Sequence, residues 1–249
     1  MQVQTENKQS AWKQLIEGLP STTEELSAAI RWALEADGYL HLRWPMTMTN
    51  YEVIAGRLGT VVQKSDVKVD VARAQRQEQV RVMKGRGGIY SPGALHFHTD
   101  PIADLVSWYC VEQDDGGGPM LMLDLGDLED KFSAEELEVL RKVELWMPSR
   151  KSEAEQETLT PVPLLTKANG KYKIFYAPWL VRESEDLAVR KVMEKFAAYL
   201  KNKEETQLIR LDIQQRDTIF LDNHRMLHGR GELPQTSKRH LVRLYLRAA

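Results

Sequence analysis

The sequence has little of what would tie a chain to an oxidising compartment, a membrane or nucleic acid. One cysteine, Cys110, serves all 249 residues. That excludes an intramolecular disulfide and a zinc site built on several thiolates. No run approaches the roughly 18 apolar residues a membrane helix requires. The opening residues, MQVQTENKQSAWKQ, hold no basic stretch followed by an apolar one, so no secretory signal is expected and the expected compartment is the cytoplasm. Neither sign of charge dominates: 34 Lys+Arg stand against 36 Asp+Glu, a formal net charge of −2. Chains that grip phosphates usually carry a basic excess, so neither a nucleic-acid nor a membrane partner is expected. Repeats, low-complexity tracts and a Pro/Ser-rich linker are missing too. The chain reads as a single domain, 1–249, long enough to bury a substantial core.

What is present is a succession of short strands with a few helices. Thr22 and Glu25 make a capping box for a helix over 22–37, with Leu26, Ile30, Ala33 and Leu34 on one stripe and Gly38 at the stop. It ends a helical N-terminal part, 1–37. GYLHLR (38–43) reads as a strand, and a second helix is expected from Asn50 to Leu58. Strand-like stretches follow at 60–62, 79–84, 104–111 and 120–125. An insert over about 125–205 carries a helix near Ser133, strand-like ELWM (144–147), a hairpin turning at Asn169-Gly170, and a helix over 184–201. Three strands close the chain: TQLIRLDI, DTIFLD and RHLVRLYL. Strands and helices do not alternate, so a mainly β sandwich or barrel with flanking helices fits better than a parallel α/β sheet.

Two charge biases stand out. Residues 112–138 hold ten acids and one base, which reads as a solvated face, whereas 223–249 hold six bases and one acid. The second bias coincides with the chemistry. Of six histidines, His98 lies two residues before Asp100 in LHFHTDP (95–101). On extended chain, residues i and i+2 share a face, so imidazole and carboxylate can converge on one metal. His228, in LDNHRMLHGR (221–230), offers a third ligand. Two imidazoles and one carboxylate on one side of an ion leave three positions open, as non-haem Fe(II) oxygenases need. RHLVRLYL then puts Arg239 and Arg243 on one strand face, 11 and 15 residues after His228. A guanidinium fork matches a carboxylate bidentately, so a deep arginine beside a metal suits a dicarboxylic cosubstrate.

These residues resemble the Fe(II)/2-oxoglutarate-dependent dioxygenases of the taurine dioxygenase and γ-butyrobetaine hydroxylase type. The matching pieces are LHFHTDP, GGGPMLMLD (116–124) and DNHRMLHGRGEL…KRHLVRLYL (222–246), with 228 − 98 = 130 residues between the two histidines. The resemblance implies a double-stranded β-helix, the jelly-roll, cupin-like core. It implies that His98, Asp100 and His228 ligate Fe(II), that Arg239 pairs with the distal carboxylate of 2-oxoglutarate, and that Arg243 contacts an acidic substrate or the other cosubstrate carboxylate. The sequence departs from the family at Met120, where a threonine hydroxyl often also touches 2-oxoglutarate. With Asp100 present, the resemblance favours hydroxylation over halogenation, with O2 consumed and succinate and CO2 released.

The expected substrate is a small polar metabolite bearing an acid group, such as an amino acid or a natural-product intermediate. A desaturase or epoxidase outcome, a peptide substrate, and a non-catalytic metal- or ligand-binding barrel remain as alternatives. Arg86 and Tyr90, on the glycine-rich stretch 84–93, and His96, two residues before His98, are further candidates for substrate contact. Tyr176 and Trp179 in FYAPW are candidate pocket walls, more commonly core. His224 and His240 read as structural or surface residues, and Asn223 as turn chemistry.

Overall fold

The capping box forms as the sequence predicts. Thr22 Oγ1 accepts from Glu25 N and the Glu25 carboxylate from Thr22 N, both at 3.2 Å. The helix that follows, α1 (Thr23–Asp37), ends at Gly38 with φ 78°. There a side chain would be strained, and its Cβ would stand 2.6 Å from Met226 Sδ. The protein is described by a computed structural model over residues 22–69, 92–114, 118–149 and 158–248. In chain order come β1 (Tyr39–Leu42), α2 (Met48–Leu58), β2 (Gly59–Lys68), β3 (Leu95–His98), β4 (Leu105–Glu112) and β5 (Met120–Asp124). Next are α3 (Leu128–Lys131), α4 (Ala134–Lys142), β6 (Glu144–Ser149), β7 (Thr158–Pro163), β8 (Leu165–Ala168) and β9 (Lys171–Ile174). The chain continues with α5 (Leu187–Gln207), β10 (Ile209–Leu211), β11 (Thr218–Asp222), β12 (Met226–Arg230) and β13 (His240–Ala248).

Antiparallel pairing builds two main sheets, ordered β1-β11-β4-β13-β2 and β10-β5-β12-β3. Period-two alternation assigns their faces. On β4, Val106, Trp108 and Cys110 turn inward to meet Met120, Met122 and Met226 of the smaller sheet, while Tyr109 turns outward. On β13, Val242, Leu244 and Leu246 face outward, where α1 and α2 cover them with Ile30, Ile54 and Leu58. Leu241 and Tyr245 face inward. The outer face of the smaller sheet, Leu123 and Leu227, is covered by the segment between β5 and β10, chiefly through Leu137, Leu140, Val192 and Phe196. Phe196 is fully buried among the rings of Phe132, Tyr176 and Tyr199. Phe196→Ala is expected to destabilise the fold by about 3–5 kcal/mol, read as a fall in the denaturation midpoint at unchanged m-value.

Several element boundaries differ from the sequence expectation. β2 runs over 59–68 rather than 60–62, because pairing along the whole of β13 extends it. The last helix spans 187–207, with the Asp186 side chain capping Ala188 and Val189; of TQLIRLDI only 209–211 remains strand. Asn169-Gly170 does turn a hairpin with both φ values positive, but it joins β8 to β9, while Thr158–Pro163 pairs with β6. The stretch 79–84 lies outside the described residues.

Candidate metal centre

β12, the strand between β5 and β3, carries the centre. Its inward residues are Met226, His228 and Arg230, while Leu227 packs outward. No strand pattern is visible here in the sequence, since MLHGR has no apolar alternation and holds a glycine. Its pairing with β3 is irregular: His228 lies opposite His98, but Arg230 lies opposite Leu95. Two steps on β12 therefore match three on β3, a β-bulge. The bulge backbone presses on Gly229, where a Cβ would stand 2.6 Å from Leu95 O. The extra residue breaks the alternation on β3. His98 is buried, whereas His96 is exposed and does not share its face as the strand expectation had it. His96 instead contributes its carbonyl, which accepts from His98 Nδ1 at 2.8 Å. That bond fixes the tautomer and leaves Nε2 with the free lone pair.

Asp100 lies past the end of β3, so strand pleating does not align it with His98. A buried amide does that work. Asn223, in the turn between β11 and β12, accepts from Asp100 N at 2.9 Å and donates to Asp100 O and Ala103 O at 2.7 Å each. On the other side, Thr99 N donates to Tyr176 O at 2.7 Å, and Tyr176 N donates to Thr99 Oγ1 at 3.0 Å. The turn that leads into His228 thus also holds the loop carrying Asp100.

The result is a buried cluster: His98, Asp100 and His228 are 4%, 7% and 3% exposed, and one ligand atom from each falls within 4.8 Å of the others. Neither ring nitrogen of His228 has a hydrogen-bond partner; Nε2 lies 3.3 Å from Asp100 Oδ2 without the alignment of a bond. Burial alone would raise the Asp100 carboxyl, but Arg243 and His228 together hold it well below the usual carboxylate range. Arg243 Nη1 lies 3.3 and 3.4 Å from its two oxygens and Tyr245 OH 3.3 Å from Oδ1. Burial, with His228 close by, pushes His98 down to about 4. At neutral pH the cluster therefore offers an imidazole lone pair and an ionised carboxylate. An orphaned buried imidazole beside them fits a divalent ion of the kind two histidines and a carboxylate hold. The Trp108 and Trp179 rings stand 5.1 and 5.2 Å from those of His228 and His98, respectively.

Beside His228 opens a cavity walled by Trp108, Met120, Arg230, Arg239 and Arg243, with Lys68 also contributing. Among the described residues that line it, none is acidic. The Arg239 guanidinium donates to Gly118 O. Burial lowers Arg239 and Arg230 to about 10 each, and Arg230 is depressed further by Arg239 beside it. They stay charged at neutral pH. The described lining is cationic.

Over residues 16–245 the chain matches the family described as taurine catabolism dioxygenase TauD, TfdA family. The chain belongs to that family. Membership of the TauD/TfdA dioxygenases bears out the resemblance read from the sequence, and with it the enzyme class, the fold, and the iron and 2-oxoglutarate that the class uses. None of the curated proteins matches the chain. Similar solved structures include asparagine oxygenase in complex with Fe(II), (2S,3S)-3-hydroxyasparagine and succinate. It is 16% identical, has a TM-score of 0.67, and the match covers 92% of this chain and 80% of that one. The non-haem iron oxygenase OrfP, in complex with Fe, succinate and (3S)-hydroxy-L-Arg, is also 16% identical with a TM-score of 0.68, over 95% of this chain and 84% of that one. At such identity the likeness is one of fold: the TauD-like jelly roll.

Of the residues singled out from the TauD/TfdA resemblance, the structure brings His98, Asp100, His228, Arg239 and Arg243 together. It leaves the His96 side chain exposed and places the Trp179 ring against His98. Arg86 and Tyr90 lie outside the described residues. Among the described residues no helix is long and apolar enough to cross a membrane. Sequence reasoning missed Arg230, Tyr245, Trp108 and the role of Asn223, which was read as turn chemistry. Asn223→Ala leaves three backbone groups without their partner, each costing about 1–3 kcal/mol where buried. It is expected to weaken Fe(II) binding roughly 10–100-fold through the freed Asp100 loop, measured by anaerobic metal titration with the melting temperature recorded alongside.

Proposed function

We propose that this TauD/TfdA family member holds Fe(II) through His98, Asp100 and His228, binds 2-oxoglutarate with its distal carboxylate on Arg239, and hydroxylates a C–H bond of a small acid-bearing metabolite, an amino acid foremost. The observation that carries the reading is the buried triad beside a cavity whose described lining holds three arginines and no acid. Bound iron with its 2-oxoglutarate supplies activation of dioxygen, with release of succinate and CO2. The chain's own residues do the rest. His96 O and Asn223 orient two of the ligands, Trp108 and Trp179 limit water around the imidazoles, and the cavity arginines position carboxylates. Arg243 reaches both the Asp100 carboxylate and the cavity, which suits a guanidinium that positions an acidic substrate beside the metal. The amino-acid products bound to asparagine oxygenase and OrfP support the substrate class.

The test has two stages. Adding Fe(II) and 2-oxoglutarate to anaerobic protein is expected to produce a weak visible charge-transfer band that needs both. Iron binding without the band would refute the cosubstrate reading. Succinate release is then followed across L-amino acids and their decarboxylated amines. Stimulation by an acid and not by the matching amine is expected; equal stimulation would overturn the substrate class.

A further inference from the structure

Arg239 does not stand alone on its wall. His228 and Arg230 are two apart on β12 and share its inward face, about 7 Å apart along the strand. Arg230 lies directly opposite Met120 on β5, and Gly231 N donates to Pro119 O at 3.1 Å. Segments 118–120 and 230–232 run so close that a Cβ on Gly118 would collide with Glu232 O. Because Arg239 donates to Gly118 O, this apposition puts both guanidiniums on one side of the cavity, with the thioether of Met120 alongside. Arg230 Nη2 donates to Gly93 O at 2.6 Å, which fixes the side chain's reach. Two buried guanidiniums side by side repel each other, and an anion held between them would relieve that repulsion.

We propose that Arg230 is a second cationic anchor for the carboxylate of the cosubstrate distal to the metal, supplying from β12 the donor that Met120 does not supply from β5. The proposal rests on the reading of the cavity given above. Its distance along β12 from His228 suits a keto acid chelated at one end and gripped at the other.

The test is isothermal titration of anaerobic Fe(II)-loaded protein with 2-oxoglutarate and with 2-oxovalerate, which keeps the chelating keto acid and the five-carbon chain but has no distal carboxylate. Wild type is expected to prefer 2-oxoglutarate strongly. Arg230→Gln is expected to lose roughly 30-fold in 2-oxoglutarate affinity and to keep its affinity for 2-oxovalerate. Arg230→Lys, which keeps a charge without the fork, should fall between. Equal loss for both acids in a folded variant, or no loss for either, would overturn the proposal. If Arg230→Gln does not fold, the Lys variant decides by the same ratio, and an unchanged ratio overturns it. A wild type indifferent to the distal carboxylate would instead refute the reading of the cavity, and the proposal with it.

Discussion

His228→Ala is expected to abolish turnover of 2-oxoglutarate while leaving the protein folded. The imidazole is buried, makes no hydrogen bond, and stands with its nearest nitrogen 3.3 Å from the Asp100 carboxylate. Removing it costs little packing that the Trp108 ring cannot partly recover, and leaves no donor or acceptor stranded. The metal loses one of three protein ligands, so affinity should fall by more than the roughly 10–100-fold that loss of an outer partner costs. Iron content after anaerobic desalting, oxygen consumption and the melting temperature are the three readings. Retained iron with retained turnover would remove His228 from the centre; a collapsed melting temperature would mean that the ring is a core residue first.

Arg239→Ala should separate the two halves of the site. Iron binding is expected to persist, since Arg239 touches none of the three ligands, while 2-oxoglutarate affinity drops by roughly 30-fold or more, the scale of a lost buried charge partner. The stability readings should diverge as well. In wild type, 2-oxoglutarate at about 100 times its dissociation constant adds about 2.7 kcal/mol to stability. That gain should vanish in the variant. Without ligand the variant loses the bond to Gly118 O and the attraction to Asp114 but also the repulsion against Arg230, so these effects offset and its melting temperature should change little. A variant that melts lower without ligand but binds 2-oxoglutarate normally would make Arg239 a structural residue held by Gly118 O.

The centre was legible in the sequence to an uneven degree. His98, Asp100, His228, Arg239 and Arg243 could be read because spacing along the chain carries their information: a His-x-Asp, and two arginines four apart, of which Arg243 lies on β13 and Arg239 just before it. Arg230 and Asn223 lie in the same quoted segment, LDNHRMLHGR, yet their roles depend on partners across the fold. Asn223 acts on a backbone 123 residues away, and Arg230 matters because Met120 lies opposite. No local pattern encodes either. The structure brings together the pair that the strand expectation named, His98 and Asp100, but by another route: Asp100 sits beyond the strand and a side-chain amide holds it in place. The broad architecture was easier, because the apolar stripes of α1 and β13 are local. The missed strand, β12, is the one in which two of three inward positions, His228 and Arg230, are polar and only Met226 packs in the core.

The bulge on β3 makes the metal centre a question of parity. A regular strand presents every second residue to a given side, and the pairing of β12 with β3 would then set an even count between Leu95 and its opposite number. The extra residue makes that count odd, and Gly229 leaves room for the surplus backbone. The exposed side chain at 96 is therefore exchangeable in kind and Phe97 is bound only to stay apolar for the core it packs on, whereas the number of residues between Leu95 and His98 is fixed. Removing one would turn the imidazole at 98 away from Asp100 and His228 without changing a single ligand. For β3, length is a stricter specification than composition.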